Sequence, residues 1–256
     1  MRIIAGPCQH ESLEQSLEIA KECKWVCDQY GFEYIFKASF DKANRTNLRS
    51  KRGLGLYPTQ NDFRQMKAEI PGLKILTDVH TINQISHIAA ENVVDVIQIP
   101  AFLCRQTDLI VAACKTDKIV NIKKGQFLAP WDVPGILSKV EGAKEVWITE
   151  RGTSFGYNTL VNDFTGMQYL LDRLGDNFVY DVTHSVQKPG GEGNSSGGNR
   201  EYVPGLCRAA AALGVSSFFL EVHPDPDNAP SDGPNMIKLQ DFQKVIDGID
   251  RFSYSR

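Results

Sequence analysis

The 256-residue sequence predicts one closed (β/α)8 barrel, a TIM barrel, that occupies residues 1–256 as a single domain. Short apolar segments alternate with amphipathic segments about eight times, which is the pattern of a barrel built from βα units. The length is normal for one such barrel, and no linker or low-complexity segment interrupts the alternation. An open doubly wound sheet is the alternative, but Gly6-Pro7-Cys8 replaces the Gly-rich fingerprint expected after its first strand.

The first four units each show a strand signal followed by a helix signal. Ser12 precedes residues with helical spacing and is the expected N-cap, and Gly31 ends that helix. The Gly-rich segment from Asp41 to Pro58 is longer than a βα unit requires, which is typical of a functional loop. The predicted strands are Arg2–Ala5, Tyr34–Lys37, Lys74–Thr77 and Val94–Ile99, and the predicted helices are Ser12–Tyr30, Thr59–Ile70, Thr81–Ala90 and Gln106–Lys115.

The last four units continue the same alternation. Apolar β-branched or aromatic residues dominate each strand, and longer amphipathic segments follow. The segment from Pro189 to Asn199 is a second Gly-rich loop. The predicted strands are Ile119–Ile122, Val146–Thr149, Phe178–Tyr180 and Ser217–Leu220, and the predicted helices are Trp131–Val140, Asp163–Leu174, Tyr202–Leu213 and Leu239–Phe252.

Composition and charge exclude several classes of protein. Hydrophobic residues make up 42% of the chain and charged residues 23%, so a large core can form. The net charge is -3 without a basic tail or stripe, so we expect neither a nucleic acid nor a membrane surface as a partner. Apolar runs are shorter than the roughly 20 residues of a membrane helix. The N-terminus lacks signal-peptide architecture, and we expect a cytoplasmic protein.

The six cysteines predict packing residues and one candidate ligand rather than disulfides. Their scattered positions do not form the spacing of a secreted disulfide framework. Cys23 and Cys27 are one helical turn apart and are expected to pack in the core. Cys8 differs, because it follows the first strand directly.

A reactive side chain follows nearly every predicted strand. In a barrel, the carboxyl ends of the strands form the face that carries the active site. Caps and turns explain Asp, Asn or Gly at these points, but not Lys, Arg, Cys and Glu directly after buried strands. We therefore expect one site composed of Cys8, Lys37, Asp78 with His80, Gln98, Lys123, Arg151, Asp181 with His184, and Glu221 with His223.

Two chemical subsets stand out at these positions. One subset is cationic and suits a ligand with several negative charges. For the cations between positions 37 and 45, a solvated basic loop is the alternative interpretation. The other mixes sulfur, nitrogen and oxygen donors, which suits Zn, Fe(II) or Mn; a buried thiol and a hydrogen-bonded core histidine are the alternative reading. The cations are Lys37, Lys42, Lys123 and Arg151, with Arg45 and Arg105 as further candidates, and the mixed donors are Cys8, His184, Glu221 and Asp232.

The motifs around these residues resemble those of the 3-deoxy-D-manno-octulosonate 8-phosphate (KDO8P) synthase family. They occur in the order of that family and cover nearly the whole chain. The segments that carry the resemblance are Phe36–Thr46, Gln98–Gln106, Asn121–Phe127, Glu150–Tyr157, Asp181–His184 and Glu221–Pro226.

The resemblance implies a (β/α)8 barrel, a homotetramer with shared active sites, and a specific reaction. The family condenses phosphoenolpyruvate with arabinose 5-phosphate and water, releases phosphate, and so makes the Kdo precursor of lipopolysaccharide. Metal-dependent members carry cysteine directly after the first strand and metal-independent members carry asparagine, and this chain has Cys8 there. The segment Gly125–Asp132 is also similar to the metal-dependent class. A divalent metal ion is therefore implied, with Cys8, His184, Glu221 and Asp232 as its ligands.

The resemblance also implies a role for individual residues. Catalytic roles fall on Lys42, Lys123, His184 and Asp232. Lys123, Arg151 and the backbone N–H of Ala101 would hold the phosphate of phosphoenolpyruvate, and Lys37 and Lys42 its carboxylate. Asn44, Arg45 and Thr46 would hold arabinose 5-phosphate, with Arg105 reaching in from a neighbouring subunit.

Two alternative functions remain. The first is the related synthase that uses erythrose 4-phosphate, which typically has Lys-Pro-Arg-Thr where this chain has Lys42-Ala43-Asn44-Arg45. The second is a non-catalytic barrel that binds sugar phosphates, which would be expected to have lost some of the strand-end residues.

Overall fold

Eight parallel strands close into a barrel in the computed structural model, which describes residues 1–191 and 196–253. Each strand pairs with its neighbour in the chain, and β1 pairs with β8 to complete the circle. The predicted (β/α)8 barrel is therefore confirmed. The strands are β1 Arg2–Gly6, β2 Glu33–Lys37, β3 Lys74–Asp78, β4 Val96–Ile99, β5 Ile119–Lys123, β6 Val146–Glu150, β7 Phe178–Asp181 and β8 Ser217–His223.

Helices connect the strands and cover the outside of the barrel. The predicted cap at Ser12 is confirmed, since its side chain accepts a hydrogen bond from the Gln15 N–H. Thr81 and Gln84 form a complete capping box at the start of α3. The helices are α1 Leu13–Gln29, α2 Leu56–Glu69, α3 Ile82–Glu91, α4 Thr107–Cys114, α5 Val133–Leu137, α6 Phe164–Leu174, α7 Val182–Ser185, α8 Val203–Leu213 and α9 Phe242–Phe252.

Several predicted boundaries were wrong. Helix α2 begins at Leu56, inside the segment predicted as loop, because Pro58 is tolerated in a first helical turn. The helix predicted over Trp131–Val140 ends at Leu137 and is preceded by a 3-10 turn. The residues directly after β7, for which no helix was predicted, form the short helix α7. Gln187–Lys188, directly before the Gly-rich loop, pairs with Gly197–Gly198 inside it, and residues 192–195 lie outside the described residues.

The core has two layers, separated by the sheet. The larger layer packs the outer faces of the strands against the helices, and both Cys23 and Cys27 are buried there as predicted. Alternate strand residues point inward instead, because side chains on a strand alternate between faces. The inner layer comprises Ile4, Ile35, Leu76, Val96, Trp147, Val179 and Phe219.

Close contact between the first two strands accounts for Gly6. A Cβ atom at this position would lie 2.1 Å from the carbonyl oxygen of Lys37. Only glycine permits this approach, which brings the backbone after β1 against the end of β2. Among the helices of the described residues, none combines the length and apolar character needed to cross a membrane.

Shortening a side chain of the inner layer should destabilise the protein strongly. Leu76→Ala should lower the free energy of unfolding by about 2–5 kcal/mol, because Leu76 is fully buried in a closed interior that cannot collapse onto the cavity. Leu48→Ala, at a side chain that is 99% exposed, should change it by no more than about 0.5 kcal/mol. Urea denaturation of both variants measures the difference, and equal losses would contradict the assignment of the inner layer.

Candidate active site

The polar residues of the barrel mouth lie one step above the inner layer. Because strand side chains alternate, residues two positions beyond inner-layer residues also point inward. Ile35 is followed in this way by Lys37, and Phe219 by Glu221. The same relation holds for Leu76 and Asp78, Val96 and Gln98, and Val179 and Asp181.

Four potential ligands converge at this mouth from three regions of the chain. Cys8 follows β1, His184 lies on α7, Glu221 is on β8, and Asp232 lies in the loop after β8. One donor atom from each lies within 4.8 Å of the donor atoms of the other three. Asp232 adopts a left-handed conformation with φ of 55°, which is uncommon for a non-glycine residue and sets the direction of its carboxylate.

Direct contacts connect these four side chains in pairs. The Cys8 thiol donates to Asp232 Oδ2 over 3.1 Å, and His184 Nε2 lies 3.5 Å from Glu221 Oε1. Within residues 1–191 and 196–253, Glu221 Oε2 is buried without a hydrogen-bond partner. A buried carboxylate oxygen without a partner is costly, and a cation bound among the four side chains would compensate it.

The donor set fits a borderline divalent cation. Burial and the nearby Glu221 carboxylate raise the pKa of the Cys8 thiol, so a nearby positive charge is needed to form the thiolate. Burial, with Lys123 and Arg151 close by, lowers the pKa of His184, which keeps the imidazole neutral as a ligand must be. One sulfur, one nitrogen and two carboxylates suit Zn, Fe(II) or Mn.

Asp181 fixes the orientation of the His184 ring. The Nδ1–H donates to Asp181 Oδ2 over 2.7 Å, because a carboxylate can only accept. Asp181 Oδ1 accepts from the His184 backbone N–H at 3.0 Å and caps α7. The lone pair of Nε2 is thereby left on the side of Cys8, Glu221 and Asp232.

Three predicted cations are buried beside this cluster. Lys37 Nζ donates to the Cys8 carbonyl over 3.0 Å and lies 3.5 Å from Glu221 Oε1. Lys123 pairs with Asp181 and lies 3.4 Å above the centre of the Phe219 ring. Burial, together with Lys37 and Arg151, lowers the pKa of Lys123 well below its usual value. The cations are thus close enough to repel one another, and an anionic ligand would relieve this repulsion.

The Arg151 guanidinium is hydrogen-bonded through one terminal nitrogen, and the other is available to a ligand. Its Nη2 donates to Gln187 Oε1 over 2.8 Å, whereas its Nη1 is buried with no partner among residues 1–191 and 196–253. The Glu150 side chain caps the turn behind it by accepting from the N–H groups of Arg151 and Gly152 at 2.8 Å each. Arg151 therefore presents a free donor next to Lys123, the arrangement that a phosphate requires.

Lys42 belongs to a second polar chain on the opposite side of the cluster. Its Nζ donates to Ser39 Oγ over 2.9 Å, and Ser39 donates in turn to Asp78. Burial opposes the charge of Lys42, but Cys8 and Asp78 raise its pKa above the usual value. Likewise, burial opposes ionisation of Asp78, but His80 and Lys42 hold its pKa well below the usual value. Both groups are charged at neutral pH.

Arg45 connects the long loop to the metal-ligating candidates. Its Nη2 donates to Gln9 Oε1 over 2.6 Å, and its Nη1 donates to Ser231 Oγ over 2.8 Å. The Ser231 hydroxyl in turn donates a hydrogen bond to Asp232 Oδ2 over 3.0 Å. The guanidinium is therefore anchored between the loops that carry Cys8 and Asp232.

The remaining predicted substrate residues are less closely integrated. Ala101 begins a 3-10 turn after β4, so its N–H is not consumed by the hydrogen bonds of the turn. Asn44, Thr46 and Arg105 are exposed, and their side chains make no hydrogen bond within residues 1–191 and 196–253. The structure therefore brings together the donor set and four cations, while these three residues lie at the edge.

Sequence reasoning missed the residues that hold this site in place. Ser39, Gln187 and Ser231 each bridge two predicted site residues, and Gln9 accepts a hydrogen bond from Arg45. Gln9, Ser39 and Ser231 were within reach of sequence reasoning, since each lies within three residues of Cys8, Lys42 or Asp232. Gln187 carries no such signal, because its partners Arg151 and Asp232 are 36 and 45 residues away.

Comparison with known proteins assigns the family. The family model described as the DAHP synthetase I family matches residues 1–250. Proteins named 2-dehydro-3-deoxyphosphooctonate aldolase from Bartonella henselae, Caulobacter vibrioides and Rhodopseudomonas palustris are each 52% identical over 254 residues. These alignments cover 98% of this chain and 90%, 87% and 88% of the respective relatives. The chain therefore belongs to the DAHP synthetase I family and, within it, to the 2-dehydro-3-deoxyphosphooctonate aldolase enzymes, the KDO8P synthase family that its motifs resemble.

Proposed function

We propose that this enzyme condenses phosphoenolpyruvate with D-arabinose 5-phosphate and water, giving 3-deoxy-D-manno-octulosonate 8-phosphate and phosphate for Kdo and lipopolysaccharide synthesis. One observation carries the proposal. Buried cations suited to a phosphate and a carboxylate adjoin the four side chains Cys8, His184, Glu221 and Asp232 at the same barrel mouth, and we call these four the donor cradle. The reaction needs both, because a polyanionic substrate must meet an aldehyde and a water molecule there.

In this proposal the buried cations hold phosphoenolpyruvate. Lys123 Nζ, the free Nη1 of Arg151 and the N–H of Ala101 bind its phosphate. Lys37 and Lys42 bind its carboxylate, and Lys42 is suited to this because it stays charged despite burial. Fixing the enol ether at both ends orients C3 toward the aldehyde, and such orientation contributes about 7–11 kcal/mol to well-arranged reactions.

The acceptor phosphate binds at the long loop, through Asn44, Arg45 and Thr46. Arg45 is anchored beside Asp232, so the other end of the acceptor is directed toward the donor cradle. Arg105 completes the phosphate site from a neighbouring subunit of a homotetramer. Its exposed position at the rim supports this role, because a buried Arg105 could not reach another subunit.

Cys8, His184, Glu221 and Asp232 are the residues that would hold the divalent metal ion. Such an ion polarises a carbonyl oxygen or makes a bound water more acidic. The unpartnered Glu221 Oε2 supports this assignment. In this proposal Asp232 also moves protons: its Oδ2 faces the Cys8 thiol and could accept the proton that Cys8 loses on ligation, while its Oδ1 accepts from Gln187.

His184 and Lys123 share the proton handling through Asp181. The Nδ1–H of His184 is used in the hydrogen bond to Asp181, so only Nε2 is available to the site. Lys123, paired with Asp181, is positioned to donate a proton to the departing phosphate. A cytoplasmic location remains a prediction in this proposal.

The reaction itself is tested by phosphate release. We expect release with phosphoenolpyruvate and arabinose 5-phosphate, at least about tenfold slower release with erythrose 4-phosphate at equal concentration, and loss of turnover after chelation. Mn²⁺ or Zn²⁺ should restore the activity of the chelated enzyme. Full activity in a metal-free sample would refute the metal assignment, whereas preference for erythrose 4-phosphate would favour the alternative synthase.

Cys8→Asn tests the cradle directly. This variant should bind metal at least roughly 10–100-fold more weakly, since loss of even an outer partner of a ligand costs that much. Residual metal-free turnover is expected, because related enzymes carry asparagine here. Metal content after dialysis is the measurement. Cys114→Ala, at a buried cysteine on α4, is the matched control and should retain metal.

Arg45→Ala tests the division of the two substrates. The KM for arabinose 5-phosphate should rise at least about tenfold, as expected for loss of a charged hydrogen-bonding group, while the KM for phosphoenolpyruvate changes little. Arg49→Ala removes an exposed arginine from the same loop and should leave both values unchanged. Equal increases for the two substrates would contradict the assignment of Arg45.

A further inference from the structure

Asp181 connects a proposed metal ligand to a proposed phosphate ligand through one oxygen atom. Its Oδ2 accepts from Lys123 Nζ and also from His184 Nδ1 over 2.7 Å. Asp181 is fully buried, and its Oδ1 is occupied by Thr183 and the His184 N–H at 3.2 and 3.0 Å. Lys123 and His184 therefore compete for the negative charge of the same oxygen.

Gln187 makes an equivalent connection on the other side. Its Oε1 accepts from Arg151 Nη2 over 2.8 Å, and its Nε2 donates to Asp232 Oδ1 over 2.6 Å. The amide is the group that fits here, because it offers an acceptor to the guanidinium and a donor to the carboxylate. Rotation or displacement of Arg151 would thus be transmitted to Asp232.

We propose that Asp181 and Gln187 are positioning residues that couple cation binding in the cradle to phosphate binding at Lys123 and Arg151. This inference rests on the proposed function. Each of the two phosphate-binding cations is connected through one intermediate residue to a different ligand: Lys123 to His184, and Arg151 to Asp232. Both connections lead from one anion site to one cation site.

The sign of the coupling follows from the charges. A phosphate that draws Lys123 toward itself leaves more of the Asp181 charge to the Nδ1–H of His184, which makes Nε2 a stronger ligand. A phosphate that engages Arg151 Nη1 fixes the guanidinium, and through Gln187 it fixes Asp232. Phosphate should therefore tighten metal binding, and metal should tighten phosphate binding by the same factor.

The coupling is measured without turnover. Mn²⁺ is titrated into the chelator-stripped full chain with and without inorganic phosphate, and free Mn²⁺ is followed by electron paramagnetic resonance. Phosphate should lower the Kd of Mn²⁺ by roughly 5–150-fold, the usual range for coupled sites. Calorimetry of phosphate binding with and without Mn²⁺ should give the same factor.

Gln187→Met separates this mechanism from simple attraction between a cation and an anion. The substitution changes no charge, so attraction through space would leave the coupling intact, whereas loss of the bridge should reduce the factor several-fold. Gln187 is half-buried on a short strand and tolerates substitution better than the fully buried Asp181. Gln168→Met, at a half-buried position on α6, is the matched control and should keep the wild-type factor.

Asp181→Asn provides the second variant. It should weaken Mn²⁺ binding and raise the KM for phosphoenolpyruvate together, with its thermal unfolding checked against the wild type. Wild-type enzyme that releases phosphate in the assay but shows no effect of phosphate on the Kd of Mn²⁺ would overturn the coupling and leave the proposed function standing. An unchanged factor in Gln187→Met would overturn the role of Gln187.

Discussion

Three buried cations at the barrel mouth impose the constraint from which the rest of the site follows. Lys37, Lys123 and Arg151 are each at most 6% exposed, and a charge removed from water is costly unless it is paired. Lys123 is paired with Asp181, and Lys37 lies near Glu221. In the part of the chain that the structure describes, Arg151 has only the neutral amide of Gln187 at its Nη2 and no partner at Nη1. The positive charge there is therefore incompletely compensated, which would favour a bound anion.

The same carboxylates also serve the donor cradle, so its chemistry cannot be separated from the cations. Glu221 contacts Lys37 and His184 through one oxygen, and its other oxygen has no partner among the described residues. A cation bound there would add positive charge beside lysines that already repel one another. Under the proposed function, the phosphate and carboxylate of phosphoenolpyruvate would offset that charge, so the substrate and the metal would each reduce the cost of binding the other.

The sequence was sufficient to predict the barrel and the inward-facing residues of the site. Both depend on local regularities: the alternation of strands with helices, and the two-residue period that places Lys37 above Ile35 and Glu221 above Phe219. It was not sufficient for Gln187, because the role of this residue depends on two partners brought close only by closure of the barrel. Helix α7 was missed for a related reason, since its four residues are too few for a periodic pattern, and the side chain of Asp181 caps it.

The contacts of Arg45 fix the long loop relative to Cys8 and Asp232. Its guanidinium is held by Gln9 and Ser231, whose neighbours in the chain are Cys8 and Asp232. The proposed acceptor phosphate site is therefore fixed relative to the cradle by two loops of the barrel. Under the proposed function, an acceptor held at Arg45 places its aldehyde beside the cradle only if its carbon chain has the right length. Selection between five-carbon and four-carbon sugar phosphates then depends on this distance, because both acceptors carry the same phosphate group and the same aldehyde.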